Sequence, residues 1–317
     1  MAGYIVRRLI QLVLVLFLIT MLLFVMMKIA PGDPARLLAG VKATPEVIAV
    51  LQHNLGLDQP WPIQYIRFVS GIFNGKLRSM AFGVPIYEIL LKRLPASVEL
   101  GTFSLLLAII IALPAGIVSA VWRDSVLDYS VTALSLGGIS IPVFWLALML
   151  MILFSVTLRW LPVSGRGATI GAWSFLTIDG IRHMIIPVIS LAAVQTAMNA
   201  RLTRSSMLEV LGEDYITTAR AKGLRERTII ISHAFRNALL PVVTNLGLQA
   251  GTLIAGAVLT ETTTAWPGIG RLMYEAITRR DETLVFGLTL FIAIFYLLAC
   301  LAVDILYAYI DPRITYD

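Results

Sequence analysis

The chain has 317 residues, 58% of them hydrophobic and only 14% charged, with a formal net charge of +6. A soluble domain carries about 25% charged residues, so a water-facing surface is excluded and the surroundings must be largely lipid. The single cysteine, Cys300, excludes an intrachain disulfide, no Cys/His cluster has metal-ligand spacing, and the modest positive charge fits anionic headgroups better than nucleic acid.

A charge at the bilayer centre is costly, so charge-free apolar stretches mark the spans. Arg7 and Arg8 precede the first, Leu9–Met27. It is longer than the apolar core of a signal peptide and runs into Lys28-Ile29-Ala30-Pro31-Gly32-Asp33-Pro34 rather than a cleavage site, which predicts a retained helix. Residues 28–98 form the largest region outside the spans. Prolines at 31, 34, 45, 60, 62, 85 and 95 break it into short helices and turns, with Pro85–Pro95 read as an interfacial helix. Five further stretches follow: Leu100–Trp122, Tyr129–Leu158, Met184–Ala200, Ala238–Thr260 and Thr283–Val303. The expected fold is an all-α integral membrane protein, one transmembrane domain over 1–317 with six transmembrane helices. The 201–237 loop holds seven Lys/Arg, the densest basic stretch, which favours that loop and both termini in the cytoplasm.

The spans hold almost no ionisable groups; Glu99 and Asp304 fall at the ends of the second and sixth. Ion-coupled transporters keep such groups at depth, so the energy source is expected outside this chain. Gln195 and Asn199 on the fourth span, and Asn245 and Gln249 on the fifth, are each spaced i, i+4 and share a helical face. Two readings stand: a polar lining to a translocation path, or hydrogen bonding between helices that only holds the bundle together. Gly247 and Gly251 form a GxxxG, read as close helix packing. Pro114 and Pro142 fall inside the second and third spans, where proline kinks helices.

Between spans four and five, Asp214 is positioned to cap a short helix through Lys222, and Gly223 suits the left-handed residue that ends it. Tyr215 lies one turn before Ala219 as a candidate anchor. Ala219 and Ala221 are small enough to let another surface approach. Asn237 is a candidate cap for the next span, with Pro241 in its first turn. A short exposed helix followed by glycine, on a basic loop, can dock into a groove on a partner.

The run Asp214, Tyr215, Thr218, Ala219, Arg220, Ala221, Lys222, Gly223, then His233, Arg236, Asn237, Ala238, Leu239, Pro241, resembles the EAA loop of ABC importer permeases. It is similar to the version in the dipeptide, oligopeptide and nickel permease family. Thr217 and Thr218 stand where Glu and Ala are general. Leu55-Gly56-Leu57-Asp58-Gln59-Pro60, Pro31-Gly32-Asp33-Pro34 and Trp266-Pro267-Gly268-Ile269-Gly270-Arg271-Leu272 followed by Arg280-Asp281 look like the same family's B-type subunit. The resemblance implies a coupling role for Asp214 to Gly223, a second homologous permease, two cytoplasmic ATPases and an extracytoplasmic solute-binding protein. It implies peptide cargo, with nickel chelates or oligosaccharides as the alternative. No G-x-x-x-x-G-K-[ST] loop is present, since Gly75-Lys76 leads into Leu77. The chain is therefore expected not to be an enzyme and to hold no cofactor, with ATP and Mg bound by the ATPase subunits. A stand-alone secondary transporter or channel is the reading from a different class. An intramembrane enzyme lacks a spaced Ser/His constellation.

Overall fold

The computed structural model describes residues 2–29, 35, 39, 43–75 and 77–310, so Pro31-Gly32-Asp33-Pro34 lie outside the described residues. Among them the secondary structure is helical apart from two isolated β-bridges. The helices of six residues or more are α1 (Ala2–Ile29), α2 (Pro45–Leu55), α3 (Trp61–Phe73), α4 (Ile86–Val121), α5 (Val126–Ser140), α6 (Val143–Leu150), α7 (Ile178–Leu211), α8 (Asp214–Ala221), α9 (Arg236–Gly256), α10 (Val258–Thr263), α11 (Ile269–Thr278) and α12 (Glu282–Ile310). Seven-residue π-helical stretches extend α6 (Met151–Thr157) and lead into α9 (Ile229–Phe235).

Five described helical segments are long and apolar enough to cross a membrane: Val6–Ile29, Ile86–Val121, Ile178–Leu211, Glu226–Leu253 and Glu282–Ala302. A sixth segment passes the same test only as a pair, Val126–Ser140 and Val143–Thr157, which meet at 101°. The kink expected at Pro142 is thus a full break of the third span. Ile141 is extended (φ −84°, ψ 123°), as a residue before proline prefers, and Pro142 occupies the N-cap of α6. Pro95 and Pro114, by contrast, lie inside α4 without ending it. The interfacial helix expected over Pro85–Pro95 is instead the first turns of α4. Each missing N–H is a local loss that a 36-residue helix carries through.

The chain divides into two compact units. One runs through Lys92 and includes Met273–Ile294. Its core joins Leu23 and Phe24 of α1, Phe68 of α3, and Phe286 and Leu290 of α12. Gly56 takes a left-handed φ of 67° that ends α2, and Asp58 reaches back to His53 (Oδ2 to Nδ1, 2.7 Å). Asp281 caps α12 by accepting from Leu284 N (3.0 Å) and also receives Ala81 N (2.9 Å) and Ser79 Oγ. These contacts give two of the sequence motifs a structural content.

The second unit comprises Arg93–Leu272 and, from Phe295, the rest of α12. Helix α7 is its axis, packed against α5, α6, α9 and α10. Small residues set the closest crossings: a Cβ on Gly116 of α4 would lie 2.5 Å from Thr203 Cβ, and one on Gly251 of α9 2.8 Å from Tyr296 Cδ2. Gly251 therefore packs closely, as its motif suggested. One apolar cluster gathers Ala96, Leu100, Met184, Val188, Leu253 and the fully buried Trp266; a second sits beneath α8.

Candidate functional site

Helix α7 ends at Gly212, and the chain turns into α8 through Glu213, whose backbone is extended (φ −73°, ψ 146°). The cap position therefore belongs to Glu213, whose side chain makes no capping bond, and not to Asp214 as expected. Asp214 is the first helical residue, where its charge faces the positive end of the helix dipole. The eight residues of α8 divide into two faces. Ile216 and Ala219, spaced i, i+3, are buried against Ala120 of α4, Met207 of α7, and Ile229, Ala234 and Ala238. Tyr215, Thr218, Ala221 and Lys222 are exposed. Of the two alanines expected to admit a partner, only Ala221 faces out; Ala219 serves the chain's own packing.

Gly223 ends α8 as expected. Its φ is +75°, its N–H donates to Arg220 O (2.9 Å) and Leu224 N donates to Ala219 O (3.4 Å). No atom lies within 4 Å of where a Cβ would stand, so backbone conformation rather than crowding favours glycine there. Arg220 then bridges the turn to Glu226 (Nη2 to Oε1, 2.8 Å), an exposed pair the sequence reading did not anticipate. Asn237 does not cap the following helix. The π-helical stretch Ile229–Phe235 carries the helix through it, and Asn237 Nδ2 donates to Tyr215 OH (2.7 Å) and to His233 O (3.1 Å). Tyr215 is 41% exposed, so its ring stays available while its hydroxyl is held. The result is a helix fixed on one face and open on the other, its rim basic with Arg220, Lys222, Arg225 and Arg227.

The four amide side chains of α7 and α9 come together. Asn199 Nδ2 donates to Gln249 Oε1 (2.7 Å) and to Gln195 O (2.8 Å), and Asn245 Nδ2 donates to Asn199 Oδ1 (3.0 Å). Asn199 is fully buried. Gln195 Oε1 and Gln249 Nε2 are buried too, with no hydrogen-bond partner among the described residues.

Besides Asp281, three buried carboxylates have partners that the sequence does not reveal. Glu99, within α4, accepts from Arg166 (Nε 3.0 Å, Nη2 2.6 Å) and from Ser174 Oγ (2.9 Å). Asp128, in the first turn of α5, is paired with Arg204 of α7 (Nε to Oδ1, 2.6 Å). Glu261, in α10, accepts from Ser97 Oγ (2.8 Å) and Arg271 N (2.9 Å). Burial pushes its pKa up to about 7 against those donors. Glu99 and Ser119, the latter bonded to Asp128, are twenty residues apart on α4. At 1.5 Å per residue that is about 30 Å, the thickness of a hydrocarbon core.

Residues 112–316 match the family model described as the binding-protein-dependent transport system inner membrane component, and residues 1–101 match its N-terminal counterpart. The chain belongs to this family. Among its relatives, the dipeptide transport system permease protein DppB of Alkalihalophilus pseudofirmus is 43% identical, with all of both chains covered. The DppB protein of Escherichia coli K12 is 43% identical over 99% of each chain, and the di/tripeptide permease DppB of Pseudomonas aeruginosa 42% identical over all of both. An inward-facing structure of the methionine ABC transporter MetNI shares the fold, with a TM-score of 0.58 at 18% identity, covering 71% of this chain and 97% of that one. The protein is thus a membrane-embedded ABC permease subunit, and α8 lies within the part matched by the main family model.

Proposed function

We propose that this permease imports peptides across a bacterial or archaeal cytoplasmic membrane, driven by ATP hydrolysis on separate subunits that grip α8. The relatives named above carry dipeptides or tripeptides, which supports the cargo class. The observation that carries the coupling role is the two-faced build of α8. Its inner face is seated on three long helices, while Tyr215, Thr218, Ala221, Lys222 and the Gly223 turn are left for a partner. A force on the outer face reaches the spans directly.

The partners in this reading are a second homologous permease, two cytoplasmic ATPases that bind ATP and Mg, and an extracytoplasmic solute-binding protein facing parts of 28–98 and 261–282. Both termini lie in the cytoplasm. The unpartnered amide ends of Gln195 and Gln249 supply an acceptor and a donor, respectively, of the kind a peptide backbone needs, which supports a path along Gln195, Asn199, Asn245 and Gln249.

Tagged purification from the native membrane tests this. The expected result is a complex with a non-identical permease and ATPases, whose uptake of labelled dipeptide requires ATP and the binding protein. A chain that purifies alone and takes up solute on an ion gradient overturns the proposal.

A further inference from the structure

The Asp128–Arg204 pair stands directly behind the seat of α8. Asp128 is 3% exposed at its side chain, and its two oxygens receive four donors: Arg204 Nε (2.6 Å) and Nη2 (2.7 Å), Asp124 N (3.0 Å) and Ser119 Oγ. Two nitrogens of one guanidinium on one carboxylate fix direction as well as distance. Each protein donor to Asp128 touches a different part of the bundle. Ser119 is the neighbour of Ala120 on α4, and Arg204 stands one turn before Met207 on α7. Ala120 and Met207 are among the residues that receive Ile216 and Ala219 of α8. Asp124 belongs to the turn between α4 and α5 and holds a left-handed φ of 59°.

Helix α5 needs such a tie. Much of it is bare, with Leu127, Tyr129, Leu134 and Leu136 exposed, Leu134 to 77%. Its buried face carries Asp128, which meets Arg204 of α7, and Ser135, and a Cβ on Gly138 would lie 3.0 Å from Ala197 Cβ of α7. Beyond Gly138 the chain turns by 101° into α6. A small-residue contact such as Gly138 against Ala197 fixes distance; the bidentate ion pair fixes direction as well.

We infer that the Asp128–Arg204 pair is a positioning element that makes α5, and with it the bend at Pro142, follow the movement of α8. It holds the spans in register with the docking helix and touches neither cargo nor nucleotide. This rests on the coupling role proposed for α8. Loss of the pair leaves α8 docked but lets α5 lag, so ATP is consumed with little transport.

The test uses the whole transporter in proteoliposomes, with D128N, R204K and the charge-free double variant D128N/R204Q. Three quantities are read: peptide uptake, ATP hydrolysis, and crosslinking of a cysteine at Ala221 to the ATPase in a Cys300→Ser background. D128N is expected to lower peptides moved per ATP at least tenfold while the crosslink persists, with R204K falling between it and the parent. The double variant, which buries no unpaired charge, assembles and is equally uncoupled. If the double variant moves as much peptide per ATP as the parent, the inference is wrong. If instead uptake and hydrolysis fall together in all three, the pair only maintains assembly, and the inference fails likewise. Absence of the Ala221 crosslink in the transporting parent separates failure of the α8 reading from failure of this one.

Discussion

Glu261 has no solvent, and the chain has been shaped around its carboxylate. A Cβ on Gly268 would lie 2.2 Å from Glu261 Oε1, and one on Gly270 2.7 Å from the backbone of Val258. Trp266 Nε1 donates to Ala96 O (2.8 Å), and Ile269 N to Ser97 Oγ (2.7 Å). The Trp266–Leu272 motif is therefore a collar of backbone around one acid. Because burial raises the pKa of Glu261 from 4.5 to about 7, the native fold holds its proton more tightly than the unfolded chain. The resulting stabilisation is fully present below about pH 4.5 and is lost as pH rises through about 7. It amounts to about 3 kcal/mol, taking 1.36 kcal/mol per pH unit. Thermal unfolding in detergent should show the melting temperature falling between pH 5 and pH 8. E261Q, which keeps the shape but cannot titrate, should flatten that profile; an equally steep slope in E261Q would refute the assignment. G270A meets backbone that cannot yield, and should cost about 1–3 kcal/mol in the same assay.

At the scale of elements, the turn after α8 separates conformational preference from hydrogen bonding. G223A adds a methyl in open space at a positive φ, at a cost of about 1 kcal/mol. It should retain most transport. G223P cannot adopt φ +75° and removes the N–H that Arg220 O accepts, so it should insert normally yet abolish transport by uncoupling the ATPase. Normal uptake by G223P in an intact complex would refute the role of the turn. These local features were legible because each depends on a few adjacent residues. Gly223 as a helix stop, Pro142 as a break and the apolar spans are signals of that kind. The caps assigned to Asp214 and Asn237 failed for a related reason. An extended Glu213 and a π-helical stretch over Ile229–Phe235 each shift a helix start by one or more residues, and nothing in residue type marks the shift. The buried acids were illegible because their partners are distant: Glu99 and Arg166 are 67 residues apart, Asp128 and Arg204 76, and Glu261 and Ser97 164. No local period records such pairings.

At the scale of the molecule, the Glu99 and Asp128 clusters mark two levels about 30 Å apart along α4, and α8 sits at the Asp128 level. Among the described residues between these levels, α7 and α9 are tied by amides, and α4, α7, α9 and α12 by small residues at their closest crossings. Everything then turns on whether α8 meets an ATPase. The most direct measurement is a crosslink from a cysteine at Ala221, in a Cys300→Ser background, within membranes holding the assembled transporter. The expected result is a product with the ATPase subunit whose yield changes between the nucleotide-free and ATP-bound states, and no such product from a cysteine at the exposed Trp173, which adjoins Ser174 in the Glu99 cluster. A transporting complex in which Ala221→Cys yields no ATPase product, in any nucleotide state, would contradict the coupling role of α8.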